Sequence, residues 1–219
     1  MSYIAPTERD PRGAIDLPRF AADLVKALNA LDTNPAIECK LAPAGDYPNE
    51  RQIIALDDAT ALWVSADNYK KRVNASIHAT DVSWDDRNTY NKDHHTESAK
   101  VSPDGRSIDA IARDIKRRVI DASANALKLQ RDHASAMAAN RTSIKVRVAA
   151  FAKACPAVSI TVHEREQNAS LYYNSNGAYL NGTLSHDGSV RMRDVSGRLD
   201  GHKMAKLIAL LSTQQPESK

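Results

Sequence analysis

A polar stretch from residue 81 to residue 99 contains the residue types with most potential for metal chemistry. Its carboxylates and imidazoles are Asp85, Asp86, Asp93, His94, His95 and Glu97. Such side chains are metal ligands, and the stretch is long enough to fold around an ion. No spacing in it fits a known closed site, so a solvated acidic loop is the alternative. Asp93, His94 and His95 are kept as the metal candidates.

One sequence, His78-Ala79-Thr80, could support phosphodiester chemistry. It resembles one half of the paired His-x-Thr strands of 2H phosphoesterases, in which one His acts as base and the other as acid. The second half is missing, because the later strand region offers only Ser185-His186-Asp187. The chain also contains no P-loop, dinucleotide fingerprint, nucleophile elbow or HExxH motif. The sequence therefore predicts a protein that is not an enzyme and needs no cofactor.

Apolar and polar side chains alternate in two strand-rich regions, which predicts sheets with one buried face. The side chains predicted to be buried are Leu62, Val64, Val73, Ile77, Leu171, Tyr173, Leu180, Leu184, Val190 and Met192. The opposite faces carry Trp63, Asn74, Ser76, His78 and Thr80 in the first region, and Tyr172, Asn181, Thr183, Ser185, Arg191 and Arg193 in the second.

These outward faces have the composition of a surface that binds single-stranded nucleic acid. An aromatic ring can stack on a base, amides and hydroxyls can bond to base edges, and arginines can hold phosphates. The predicted contacts are Trp63, Asn74, His78, Tyr172, Asn181, Arg191 and Arg193. The alternatives are ordinary solvated faces, or faces that a partner subunit covers.

The stretch from Ser107 to Ala154 contains neither Pro nor Gly, and its apolar and small residues recur at helical spacing. Ser107 is the predicted N-cap and Pro156 ends the helix. A continuous helix would be about 72 Å long, so a break at Asn140–Ser143 is the alternative. Ten Arg and Lys against four Asp make this stretch basic. Most of these cations suit a solvated face, and Arg113, Arg117 and Arg118 are the further nucleic-acid candidates.

The expected fold class is α+β, with two similar helix–antiparallel-sheet–helix units joined by this long central helix. Residues 1–13 are predicted to be a flexible tail, 14–139 the first unit and 140–213 the second. The strand segments of the two units are similar, as are two helix segments; the matched pairs are 61–64 with 170–173, 73–77 with 180–184, and 111–115 with 204–208. This similarity predicts an internal duplication, although antiparallel sheets also recur by chance.

Composition limits the compartment and the partners. The formal net charge of +3 on 219 residues does not by itself imply nucleic acid. No apolar run is long enough to span a membrane, and the first residues lack a signal-peptide core. Two cysteines, Cys39 and Cys155, do not form a disulfide framework, so we expect a cytoplasmic protein without membrane contact. Small residues at Ala122, Ala126, Ala136 and Ala150 would suit a homodimer through the long helix.

One segment resembles a known group of proteins. The run Val101-Ser-Pro-Asp-Gly-Arg-Ser-Ile-Asp-Ala-Ile-Ala-Arg-Asp-Ile-Lys-Arg-Arg-Val119 follows an alternating strand. This arrangement, over residues 60–150, resembles uncharacterised bacteriophage and prophage proteins with a strand, a Ser-rich loop and an Ile-Ala-Arg-Asp-Ile-x-Arg-Arg helix. The resemblance implies a mobile-element origin. It is compatible with a nucleic-acid-binding accessory protein or with an anti-defence protein that binds a host defence enzyme.

Overall fold

The computed structural model describes residues 2–5, 13–31, 38–43, 45–87, 90–175 and 178–196. The chain divides into two compact units, which are residues 1–134 (unit 1) and residues 135–219 (unit 2). Both contain helix and antiparallel sheet, so the predicted α+β class is confirmed. The boundary lies within the long helix, as does the boundary predicted after residue 139.

Unit 1 contains a two-stranded ribbon, a five-stranded sheet and helices. Its elements are β1 (Ile4–Ala5), β2 (Ala14–Ile15), α1 (Leu17–Asn29), β3 (Lys40–Leu41), β4 (Arg51–Asp57), β5 (Thr60–Asp67), β6 (Arg72–Ala79), β7 (Ser98–Val101) and α2 (Ile108–Ile115). Strands β3 to β7 are neighbours in chain order and pair antiparallel. The sheet is therefore a meander, which needs only short connections between neighbouring strands.

The core of unit 1 forms where the inner face of this sheet packs against α1 and α2. Alternation places the same side chains inward that the sequence predicts, and Leu62, Val64 and Val73 are fully buried. On α1, Leu17, Phe20, Leu24 and Leu28 form one apolar face and are also fully buried. The Asp16 side chain caps this helix by accepting from the Arg19 amide.

The predicted flexible tail contains an ordered strand within its described residues. Instead of remaining loose, Ile4–Ala5 pairs with Ala14–Ile15. The anchor is Tyr3, which is 4 % exposed, packs edge-to-face on Phe20 with ring centroids 5.3 Å apart, and hydrogen-bonds to Asp23. A single buried aromatic therefore orders a segment whose composition resembles a tail.

The polar stretch 81–99 is partly structured. It contains 3-10 turns at Trp84–Asp86 and Lys92–His94. It ends in β7, a strand that the sequence analysis missed because four residues give too short an alternation to recognise. β7 pairs with β6 and places Lys100 beside Asn74.

The long stretch is helical from Ile108 to Ala154, with Ser107 as its N-cap. It consists of α2, a π-helical segment (Lys116–Asp121) and α3 (Ala122–Ala154). The π geometry brings residues five apart together, and Lys116 Nζ lies 2.7 Å from Asp121 Oδ2. Ala126 is buried within the chain and is therefore not free to join a dimer seam.

The candidate break at Asn140–Ser143 does not occur, because α3 continues through it. The sequence analysis raised this break because Asn, Thr and Ser favour caps. Here two of these side chains bond elsewhere: Asn140 Nδ2 donates to Gln167 Oε1 at 2.7 Å, and Ser143 Oγ donates to the His186 carbonyl at 2.8 Å. Tertiary partners therefore satisfy the groups that would otherwise compete with the helix.

Unit 2 contains the C-terminal part of α3 and a four-stranded antiparallel meander. Its strands are β8 (Ser159–His163), β9 (Asn168–Ser175), β10 (Ala178–Ser185) and β11 (Val190–Ser196). Among its described residues, the buried members of its core are Ile144, Phe151, Ala169, Leu171, Leu180 and Leu184. Tyr173, Val190 and Met192, which were predicted to be inside, pack against this core and are partly buried. The predicted closing helix, residues 202–211, lies outside the described residues.

The two meanders share strand order but differ in hairpin register. Trp63 lies opposite Ser76, whereas Tyr172, its predicted counterpart, lies opposite Asn181. In the part of the chain that the structure describes, no helix combines the length and apolar character that a membrane span needs.

Candidate nucleic-acid interface

The outward face of the unit 1 sheet, here called the unit 1 face, carries a cation, an aromatic and several polar side chains in register. One cross-strand row runs Arg51, Ser65, Asn74, Lys100, and the next runs Ile53, Trp63, Ser76, Ser98. The inward neighbours on the same strands are buried against the helices. The face therefore points away from α1 and α2.

Trp63 lies at the centre of this face, and its ring is already in contact with two side chains. The Arg51 guanidinium carbon lies 5.0 Å from the Trp63 ring centroid, and the His78 ring lies 4.6 Å away, tilted by 50°. The first contact is a cation–π interaction. A base approaching this face would consequently meet the Arg51 guanidinium as well as the Trp63 indole, and both kinds of group can stack on bases.

His78 is half-buried between polar and cationic neighbours. Its Nε2 lies 3.1 Å from Ser76 Oγ. Burial lowers the pKa of His78 below its usual 6.5, and the charges of Arg87 and Arg51 lower it further. The neutral ring is therefore favoured at pH 7. Thr80, its partner in the His-x-Thr sequence, is exposed and reaches the Asp58 carbonyl at 3.5 Å.

Asn74 occupies the row between Ser65 and Lys100. Its side-chain Oδ1 is buried and has no hydrogen-bond partner among the described residues. An unpaired buried acceptor costs free energy, so the amide gains from any arrangement that brings a donor to it. Lys100, next to it, is exposed.

A concavity of about 860 Å³ opens beside Asn74, at the edge where β4 begins and β5 ends. Tyr47 and Tyr69 are its aromatic members and are 70 % and 85 % exposed. The charged members are Asp46, Glu50, Asp67 and Arg51. Arg51 thus belongs both to this concavity and to the Trp63 contact.

The predicted helix arginines lie elsewhere in unit 1. Arg113 and Arg117 line a groove between α2 and the C-terminal end of α1. This groove belongs to the helical layer, whereas the unit 1 face points away from that layer. The structure therefore does not bring these arginines together with Trp63.

Two of the same arginines are already engaged by a carboxylate. Arg106, Arg117 and Arg118 each lie 3.2–3.3 Å from the Asp114 carboxylate. Burial alone would raise the pKa of Asp114, but the hydrogen bonds and charges of these arginines outweigh it and lower that pKa. Part of their donor capacity is consequently satisfied within the chain.

The outward face of the unit 2 sheet, here called the unit 2 face, carries the second predicted set. Tyr172 is 45 % exposed, and its ring packs edge-to-face against Tyr179 with centroids 5.5 Å apart. Asn181 lies directly opposite it on β10. Arg191 and Arg193 are exposed on β11, where a bulge interrupts the register next to Arg193.

The metal candidates do not converge. His94 is 8 % exposed and packs edge-to-face against His133 with ring centroids 5.7 Å apart, whereas Asp93 and His95 are exposed. Among the residues that the structure describes, no group of three or more His, Cys, Asp or Glu side chains is placed to hold a metal ion.

The sequence analysis missed Arg51, Tyr47, Tyr69 and Lys100. Arg51 could have been found by extending the alternation of β4 outward, since it shares the parity of Ile53. Lys100 lies on the unrecognised strand β7. The tyrosines reach the concavity from loops, and no periodic pattern marks them.

Comparison of the chain with protein-family models, curated proteins and solved structures finds no match. The physical properties of the two faces are therefore the basis for assigning a function.

Proposed function

We propose that the protein is a non-enzymatic nucleic-acid-binding protein and that the unit 1 face binds a single strand. The observation that carries this proposal is the contact of Trp63 with Arg51 and His78, flanked in register by Asn74 and Lys100. An aromatic–guanidinium surface stacks on bases of any type, and the neighbouring amide can bond to base edges.

Charge on the same face supplies the phosphate contacts. Arg72 and Lys100 are exposed on β6 and β7. Neither Arg72 nor Lys100 has an ion-pair partner among the described residues. Free cations of this kind release counterions when phosphates bind, so affinity should fall as salt rises. A single strand suits the face better than a duplex, because its unpaired bases can reach a flat sheet.

The other predicted residues form two further candidate binding surfaces, which are separate from the unit 1 face. Tyr172, Asn181, Arg191 and Arg193 form a separate candidate surface on unit 2. Arg113, Arg117 and Arg118 form a phosphate-binding candidate in the helical layer of unit 1, where Asp114 already engages the last two.

The test is an anisotropy titration with labelled single-stranded DNA and RNA between about 50 mM and about 200 mM salt. Arg72→Ala and Lys100→Ala should each weaken binding and reduce the slope of log affinity against log salt by about 1. Lys26→Ala, which removes an exposed cation from α1, is the matched control and should change neither quantity. Flat titrations at low salt with both strand types would remove the proposal.

A second candidate function is an anti-defence protein that binds a host enzyme, and exposed aromatics on the 81–99 stretch favour it. Trp84 and Tyr90 are 69 % and 98 % exposed, and the Arg87 guanidinium carbon lies 5.0 Å from the Trp84 ring centroid. Trp, Tyr and Arg are enriched at the energetic centres of protein interfaces. A host-lysate pull-down should recover one partner with the wild type and lose it with Trp84→Ala.

The predictions about duplication, origin, location and oligomeric state also stay proposals. The shared meander order supports an internal duplication, and the different hairpin registers count against a close copy. Phage origin, a cytoplasmic location and a homodimer through the long helix stay predictions.

A further inference from the structure

We propose that the concavity bordered by Tyr47, Tyr69 and Arg51 is a pocket for a guanine base of the bound strand. This inference rests on the proposed function and adds a base preference to it. The volume of about 860 Å³ lies within the range of about 300–1,000 Å³ that ligand pockets have. The pocket adjoins the Trp63 contact through Arg51, so a strand that crosses the unit 1 face passes its opening.

The pocket lining includes three carboxylates, whose ionised oxygens only accept hydrogen bonds. The carboxylates are Asp46, Glu50 and Asp67, and the last accepts a hydrogen bond from the Lys70 amide at 3.0 Å. Asp46 and Glu50 have no ion-pair partner among the described residues. At least two carboxylates are thus free to accept hydrogen bonds from a ligand.

Among the described lining residues, the charged donor is the guanidinium of Arg51. Its carbon lies 5.0 Å from the centroid of the Trp63 ring, and its N–H groups have no hydrogen-bond acceptor among the described residues. A guanidinium with such donors suits two adjacent acceptors.

Guanine is the base whose edges match this arrangement. Its O6 and N7 are adjacent acceptors, which suit a bidentate arginine. Its N1–H and 2-amino group are adjacent donors, which suit a carboxylate. Thymine and uracil offer one ring N–H between two carbonyls, and adenine offers one amino group, so neither satisfies both sides of the pocket.

The charge distribution favours a base inside the pocket and phosphates outside it. Among the described lining residues, three carboxylates against one guanidinium give an excess of negative charge, which would repel a phosphate. Exposed cations lie next to the pocket: Lys70 in the β5–β6 turn, Arg72 opposite Asp67, and Lys100 opposite Asn74. A strand can therefore place its backbone over these cations while one base enters.

The experiment compares labelled strands of about ten thymidines, in which one central base is changed to guanine, hypoxanthine or adenine. We expect the guanine strand to bind about tenfold tighter than the all-thymine strand, as for a good bidentate base contact. Hypoxanthine, which lacks the 2-amino group, should lose part of this gain, and adenine most of it.

Two conservative variants test the acceptor side. Glu50→Gln and Asp46→Asn remove a charge at exposed positions and keep the side-chain shape. Each should reduce the preference for guanine without weakening binding of the all-thymine strand. Asp58→Asn is the matched control, since it removes an exposed carboxylate from the β4–β5 turn, outside the pocket. Circular dichroism checks that every variant folds.

The outcomes separate this inference from the proposed function. If all strands bind equally tightly, the guanine pocket is wrong and the binding function stands. If no strand binds at low salt, both are wrong. If a lysine-rich peptide binds through Glu50 while guanine gives no gain, the acidic, tyrosine-lined pocket belongs to a protein partner, and the inference is overturned.

Discussion

The two outward sheet faces have similar composition but differ in what their aromatic side chains contact. On the unit 1 face, Trp63 touches a cation and an imidazole, and the Arg51 guanidinium has no hydrogen-bond acceptor among the described residues. On the unit 2 face, Tyr172 packs against Tyr179, and its hydroxyl lies 3.4 Å from the amide of Asn174. On the first face the aromatic ring contacts a cation and an imidazole, whereas on the second it contacts another aromatic ring and an amide.

The two sheets also differ in the core that packs beneath each of them. Unit 1 packs α1 and α2 against a five-stranded sheet, whereas the described residues of unit 2 contribute six buried side chains to its core. Because buried apolar area is the main stabilising contribution, a single truncation removes a larger share of the core that the described residues of unit 2 form. The comparison teaches that outward faces of similar residue composition can differ in what their aromatic rings contact.

The largest expected effect comes from a substitution that destabilises unit 2 and leaves unit 1 folded. Leu171 is fully buried, so Leu171→Ala should cost about 2–5 kcal/mol. Hydrogen exchange should show protection lost in β8–β11 and retained in β4–β6. Oligonucleotide binding should persist if the unit 1 face is the site. Loss of binding while β4–β6 stay protected would move the site to unit 2.

The next largest effect is the difference in single-strand affinity between substitution of Trp63 and substitution of Tyr172. Base stacking is worth about 1–3 kcal/mol per base by alanine substitution, so Trp63→Ala should weaken single-strand affinity by about tenfold, with Trp63→Phe retaining part of it. Tyr172→Ala, the matched change on the unit 2 face, should have little effect in the same anisotropy titration. Equal losses of affinity from both substitutions would contradict the assignment of binding to the unit 1 face alone.

Most of the fold could be predicted from the sequence because it depends on local periodicity. The alternation of β5 and β6 and the helical spacing after Ser107 fix which side chains turn inward. The strand β7 was missed because four residues carry almost no periodic signal. The alternative of a break at Asn140–Ser143 does not occur, because polar side chains there bond to residues distant in sequence, Gln167 and His186.

The candidate site could be predicted only in part. Trp63, Asn74 and His78 share one strand face by parity, and the sequence reveals this directly. The Arg51 contact and the concavity depend on strand register and on loop positions, which are tertiary properties. The opposite orientation of the helix arginines follows from which sheet face the helices cover, and alternation alone does not give it.

A smaller effect concerns the backbone conformation of Gly188 in the β10–β11 turn. Gly188 has φ of +90°, and an added Cβ there would collide with the guanidinium of Arg147, which also donates to the His186 carbonyl at 2.8 Å. Gly188→Ala should therefore cost unit 2 about 1 kcal/mol, measured by urea unfolding. Gly45→Ala in unit 1, with open space around it, should be close to neutral. Equal costs would contradict the strain assigned to the β10–β11 turn.

The smallest effect is on acid stability. Because the pKa of His78 is lowered below 6.5 by burial, Arg87 and Arg51, the unfolded chain binds the proton more readily than the folded chain. The stability from the neutral ring is therefore full above pH 6.5 and is lost as pH falls through the lowered pKa. His78→Gln should make the midpoint of urea unfolding depend less steeply on pH below pH 6.5. His163→Gln, which removes a Ser-bonded imidazole from the unit 2 face, is the control. An unchanged acid slope in His78→Gln would contradict this assignment.

The most direct test of the unit 1 face is the indole N–H region of a nuclear magnetic resonance titration with a single-stranded oligonucleotide. The chain has two tryptophans, Trp63 and Trp84, and Trp84→Phe assigns their signals. The account predicts that the Trp63 signal shifts in proportion to bound strand and returns when salt is raised. A Trp63 signal that stays unchanged at saturation would contradict it, and a shift of Trp84 alone would place the contact on the 81–99 stretch.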